Sequence, residues 1–167
     1  IAEIINVTET VLDHVPANSA FGPRETNEIN WAAHDPATLA INLRHTTMRL
    51  YTGNGQPGPL DPAGAGGSDP IETLVHASTE LFHARLGTLH IPSFYDDYGP
   101  GTHRWPYWAR DLRQAIDPVM QAFARPPAAP ARITYTSADA TYGVFGWRVA
   151  TRRPAREFST LRDASRR

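Results

Sequence analysis

The sequence predicts an α/β fold. Helical and extended patterns alternate between residues 36 and 124, Pro- and Gly-rich loops separate them, and an aromatic, β-branched stretch follows a Pro/Ala linker. Helix, strand, helix, strand, helix is a βα alternation, which favours a mostly parallel sheet with flanking helices. Two strands are too few to close such a sheet, so the pattern reads as part of a larger α/β domain with a short β-rich appendage behind it. On this reading residues 1–124 are the α/β part, 125–131 (RPPAAPA) the linker, and 132–167 a partial β-rich module.

Each element has its own signal. Ile1, Ile4, Ile5, Val7, Val11 and Leu12 are spaced like one side of a helix. Residues 16–36, rich in Pro, Asn and Gly, read as a loop that ends at Asp35-Pro36, with Asp35 as N-cap and Pro36 as the first helical residue. The helix should run to about Leu43, since Leu39 and Leu43 share a face. Thr46–Thr52 alternates and is β-favouring, and Gly53-Asn54-Gly55 stops it. Residues 56–69 read as a Pro/Gly loop too flexible to belong to a packed element. Asp69-Pro70 opens a second helix with Ile71, Leu74, Val75, Leu81, Phe82 and Leu86 as its apolar positions. A short strand follows at Leu89–Tyr95, and then a turn at Gly99-Pro100-Gly101. A third helix starts at Trp105, with Trp105, Trp108, Leu112, Ile116, Val119 and Phe123 as its expected buried face. Ile133–Thr151 reads as a β-hairpin or the first strands of a module that is itself cut short.

Composition excludes several classes. The formal net charge is −1, so no polyanionic partner such as nucleic acid is indicated. There is no cysteine, which removes disulfides, thiolate metal sites and a thiol nucleophile together. All 16 basic residues are arginine, the mark of GC-rich coding such as an actinobacterium's. No apolar run is long enough to span a bilayer. The chain starts at Ile1 with no secretory leader pattern, which reads as a start inside a longer protein.

The richest segment for chemistry is Tyr95–Trp108, YDDYGPGTHRWPYW. His103 sits there on a Gly/Pro-rich loop between a strand and a helix, among aromatic rings. Imidazole chemistry near neutral pH suits a general base, and a loop histidine that caps the next helix has the same signature. Glu72, near a helix N-terminus, is equally favoured there by the helix dipole alone. Glu72, His76, Glu80 and His83 fall on one helix face at metal-ligand spacing, or at the spacing of ordinary i,i+4 contacts, and no His-Glu-x-x-His run is present. No metal or organic cofactor is expected. Tyr135, Tyr142, Phe145 and Trp147 make either the core of a small β unit or a carbohydrate-binding platform.

GTHRWPYW (101–108) resembles the Gly-Thr-His-Ser-Trp-Pro-Tyr-Trp block around the catalytic histidine of the antigen 85 mycolyltransferases and their esterase relatives. NWAAHDPATLAINLRHTTMRLYTGNGQPG (30–58) is similar to that family's Asn-Asp-Pro helix and the strand ending in Gly-Asn-Gly. IETLVHASTELFHARL (71–86) resembles the helix that carries the family's acidic triad member. The three blocks keep the family's order, and Arg104 stands where the family has Ser.

The resemblance implies the C-terminal part of an α/β-hydrolase, with His103 as general base, Glu72 as the acid that orients it and Trp105 lining the acyl or acceptor site. In such enzymes the triad runs nucleophile, acid, histidine along the chain. No Gly-x-Ser-x-Gly elbow occurs in this sequence, so the nucleophile is expected outside it and the piece alone is expected to be inactive. The implied substrates are acyl esters or glycolipids, with water or a sugar or lipid hydroxyl as acceptor, and the implied location is extracellular or in the cell envelope. The alternative is a non-catalytic relative acting as an envelope-binding protein.

Overall fold

A computed structural model describes residues 21–165. The elements are α1 (Arg24–Ala32), α2 (Pro36–Leu39) continued by a 3-10 turn (Ala40–Leu43), β1 (Met48–Thr52), α3 (Pro70–Thr88), β2 (Ser93–Asp97), α4 (Trp105–Ala124), β3 (Arg132–Ser137), β4 (Thr141–Val144), β5 (Trp147–Ala150) and β6 (Ser159–Ser165). The helix expected over the first twelve residues lies outside the described part. Among the described residues no helix is long and apolar enough to cross a membrane.

The caps explain the helix starts. The Asp35 carboxylate accepts the Thr38 amide at 2.8 Å, with Pro36 in the first turn, and Asp69 accepts the amides of Ile71 and Glu72 at 3.0 and 3.2 Å. The second strand begins at Ser93, later than expected. Residues 89–91 instead close α3: His90 takes a left-handed φ of 55° and the Ile91 amide bonds back to the Leu86 carbonyl.

Contacts divide the described chain into two compact units. One comprises 21–46, Arg85–Ile91 and 129–165. Its buried apolar residues are Trp31, Ala40, Leu86, Ile91, Ile133 and Ala138. Here α1 corrects the expectation of a loop over 16–36. Pro23 precedes it and offers no side-chain cap, and Asn27 breaks the helical dihedrals, so local propensity is poor. The helix is held by tertiary contacts instead: Trp31 is 3% exposed, and its indole N–H bonds the Gly22 carbonyl at 2.9 Å. In the β-rich tail the hairpin is β4–β5, turned at Phe145-Gly146 with φ of 45° and 76°. β3 pairs antiparallel with β6 rather than with β4. Asn42 clamps β3 by bonding both the carbonyl and the amide of Thr136, at 2.9 and 2.8 Å.

The other unit comprises Thr47–Ala84 and Pro92–Ala128. β1 and β2 pair in parallel, from Met48 opposite Ser93 to Thr52 opposite Asp97, in a two-stranded sheet. The loops that leave the two strands interlock. The Asn54 and Gly55 amides donate to the carbonyls of Gly99 and Gly101 at 2.8 and 2.9 Å. Gly55 has a φ of +81°, and a Cβ there would lie 2.2 Å from Thr73 Oγ1, so this turn admits only glycine.

The expected buried face of α4 is a correction. Trp105 and Phe123 are 77% and 73% exposed, and Leu112, Ile116 and Val119 are exposed as well. The buried residue of this helix is Tyr107, at 1%. Periodicity identifies an apolar stripe but not what covers it, and among the described residues nothing does.

Candidate active site

The second unit gathers the sequence-predicted residues in one place. Glu72 lies in the first turn of α3, which the Asp69 cap fixes, and its side chain is buried. One carboxylate oxygen accepts the Gly53 amide at 3.0 Å, and the other meets His103 Nδ1 at 2.8 Å. A buried carboxylate is an acceptor only, so the imidazole proton belongs on Nδ1 and the lone pair on Nε2. The His103 backbone is held too, because its amide donates to Asp69 Oδ2 at 3.0 Å. Asp69 therefore caps the acid's helix and pins the histidine's loop with the same carboxylate.

His103 also belongs to the wall of a cavity of about 620 Å³, with Leu60, Asp61, Pro62, Arg104, Trp105, Pro106 and Trp108. The His103 side chain is 34% exposed, in contrast to 5% for Glu72. Trp108 meets the His103 ring edge-on at 4.8 Å, and Trp105 meets Trp108 in the same way at 4.8 Å. Trp105 also lines the cavity.

Asp61 organises the loop behind the cavity. Its side chain is 2% exposed. It accepts hydrogen bonds from Thr102 Oγ1 at 2.5 Å, the Gly58 amide at 2.8 Å and the Tyr107 hydroxyl at 2.9 Å. Burial alone would raise its pKa, but these donors and the charge of Arg104 together hold it below the ordinary carboxylate range. The expectation that all of 56–69 is too flexible to pack is corrected here. Gly58 is packed so closely on Pro100 that a Cβ would lie 2.3 Å from its carbonyl oxygen, whereas Gly64, Gly66 and Gly67 stand in open space.

Asp96 and Asp97, the acids that precede His103 in its own segment, are engaged elsewhere. Asp96 pairs with Arg110 at 2.8 Å. Asp97 meets His76 Nε2 at 3.1 Å, and His76 Nδ1 lies 3.7 Å from Glu80. Ligand atoms of His76, Glu80 and Asp97 fall within 4.8 Å of one another, so these three could hold a metal ion. Of the four residues on the helix face read at metal-ligand spacing, Glu72 turns to His103 and His83 packs on Tyr95 with ring centroids 4.2 Å apart. Sequence reading missed Asp61, the Gly53 amide and the second role of Asp69. The Asp69-Pro70 cap was the one local signal near them.

Comparison with known proteins agrees with the motifs. The chain is 32% identical over 127 residues to diacylglycerol acyltransferase/mycolyltransferase Ag85B of Mycolicibacterium smegmatis, covering 71% of this chain and 37% of that protein. It is 31% identical over 117 residues to Ag85C of Mycobacterium leprae and 32% identical over 117 residues to Ag85C of Mycobacterium avium. Each match covers 63% of this chain, and 31% and 30% of those proteins. The chain thus spans about a third of the length of these curated relatives. No protein-family model matches it, and no solved structure does. Over the part of their length that it spans, the chain is similar to the antigen 85 mycolyltransferases, the family whose motifs its sequence resembles.

Proposed function

We propose that the chain supplies the general base and the orienting acid of a serine-dependent acyl-transfer site, in the C-terminal part of an α/β-hydrolase domain. The observation that carries this reading is the doubly held Glu72 carboxylate: one oxygen is on the Gly53 amide and the other on His103 Nδ1, with His103 in the wall of the cavity. A histidine fixed in this tautomer has one free nitrogen, and that nitrogen does the proton work.

The reaction follows from that geometry. His103 Nε2 takes the proton of a serine hydroxyl as the serine oxygen attacks the ester carbonyl. Glu72 stabilises the imidazolium that forms. The imidazolium then gives its proton to the departing alcohol oxygen, which leaves an acyl-serine. In the second half Nε2 takes a proton from water, or from a sugar or lipid hydroxyl, whose oxygen attacks the acyl-serine. The imidazolium returns the proton to the serine. The serine and its oxyanion donors belong to a segment outside this sequence, since no Gly-x-Ser-x-Gly is present here. The exposed apolar stripe of α4 supports the same view, because a larger α/β domain would cover it. In this reading residues 1–124 belong to the hydrolase domain, 125–131 link it to a β-rich appendage over 132–167, and the parent protein works in the cell envelope without a cofactor.

The missing elbow also favours a second reading, a non-catalytic relative that binds envelope components. One experiment separates the two. The full-length protein is assayed on short-chain p-nitrophenyl esters beside its His103→Ala variant. Hydrolysis that collapses in the variant supports the enzyme, hydrolysis unchanged in the variant removes His103 from the mechanism, and no hydrolysis by the parent supports the binder.

A further inference from the structure

Arg104 follows His103 in the chain and lines the same cavity. Its guanidinium is permanently charged and carries five donors in a planar fork suited to carboxylates and phosphates. Among the described residues it makes no hydrogen bond. Its one acidic neighbour is Asp61, at 3.8 Å, with the Arg104 side chain 51% exposed and that of Asp61 2% exposed. That distance is beyond hydrogen bonding; Asp61 Oδ1 accepts from Thr102, and Oδ2 from Gly58 and Tyr107. Asp61 therefore holds the guanidinium near the cavity by charge without using its donors. The rest of the wall is apolar: Leu60, Pro62, Trp105, Pro106 and Trp108.

In both halves of acyl transfer the histidine nitrogen exchanges its proton with an alcohol oxygen, first the leaving one and then the attacking one. A donor beside that histidine is thus placed for the alcohol side of the ester. We propose that Arg104 is a specificity residue that binds an anionic group, a phosphate or carboxylate, on the alcohol part of the substrate or acceptor. This inference rests on the reading of His103 as general base.

The test uses the full-length protein and two butyrate esters, of 4-nitrophenol and of 3-carboxy-4-nitrophenol, which differ by one carboxylate on the alcohol side. The ratio of kcat/KM, anionic over neutral, is expected to be about tenfold higher in the parent than in Arg104→Gln, the size of a charge-assisted contact at a half-exposed site. Arg104→Lys should keep part of it, and rising salt should shrink it by screening. A ratio equal in the parent and Arg104→Gln overturns the proposal. If His103→Ala abolishes hydrolysis of both esters while the parent shows no anionic preference, the general-base reading stands and the Arg104 assignment falls. If His103→Ala hydrolyses both at the parent's rate, the general-base reading itself falls. Glycerol phosphate, glycerate and glycerol are then compared as competing alcohols. Stronger competition by either anion than by glycerol supports the assignment, and the stronger of the two names the group. Competition by both no stronger than by glycerol overturns it.

Discussion

Helix α3 contributes to two histidine–carboxylate pairs that differ in burial and in how the carboxylates are held. Its Glu72 accepts from His103 Nδ1 at 2.8 Å, is buried, and has its second oxygen on a backbone amide, while His103 lines a cavity. Four residues on, His76 has carboxylates at both nitrogens, Asp97 at 3.1 Å and Glu80 at 3.7 Å, and these acids are 37% and 57% exposed. The short distance is common to both pairs. In the first, a dry and fixed carboxylate holds one nitrogen, and the other has no hydrogen-bond partner among the described residues. In the second, one nitrogen bonds an acid open to water, and the other has an exposed acid 3.7 Å away, beyond hydrogen bonding. A nearby carboxylate is therefore not enough to make a histidine a base.

The largest way to break this contrast is in activity. His103→Ala in the full-length protein should lower ester hydrolysis by about 10³-fold or more. His76→Ala, a change at an exposed pair, should leave the rate within about twofold. Equal losses in the two variants would erase the distinction.

A smaller effect concerns the buried polar framework behind His103. Asp61→Asn removes the charge that accepts from Thr102, Gly58 and Tyr107, and should cost about 2–3 kcal/mol in urea unfolding. The sign of the pH effect follows from the lowered folded pKa of Asp61. Its contribution is fully present above the unfolded value and is lost as pH falls through the folded one. The parent should therefore lose stability with acid more steeply than Asp61→Asn does. Parallel acid profiles would remove Asp61 from that role.

The smallest effect is at Asp97. Burial alone would raise its pKa, but the bond from His76 and the Gly99 amide bring it below the ordinary value, so its contribution is likewise lost on acidification. At 37% exposure most of that is screened. The acid melting profile of Asp97→Asn should nearly overlie the parent's, and a displacement as large as that of Asp61→Asn would put the two sites on an equal footing.

What could be read without coordinates was local. Asp35-Pro36 and Asp69-Pro70 announce helix starts because the cap lies within three residues of the amides it satisfies. Glu72 and His103 were identified by motif resemblance, since spacing alone makes one a dipole residue and the other a loop histidine. The contacts that define the site are not local: Gly53 to Glu72, Asp69 to His103, Asp61 to Thr102 and Tyr107. Asp61 was hidden because its Pro/Gly surroundings look like flexible loop. Helix α1 was hidden because its stability comes from Trp31, and the β3–β6 pairing because its partner strand lies beyond the hairpin.

If Glu72 and His103 act as one unit, a double-variant cycle on ester hydrolysis by the full-length protein will show it. Glu72→Gln alone should slow the reaction by roughly 10²-fold or more, since the acid orients the base and stabilises its charged form. Once His103 is Ala there is nothing left for Glu72 to orient. Glu72→Gln/His103→Ala should therefore be no slower than His103→Ala alone, to within about threefold. Losses that multiply in the double variant would contradict it, because the two residues would then be acting independently.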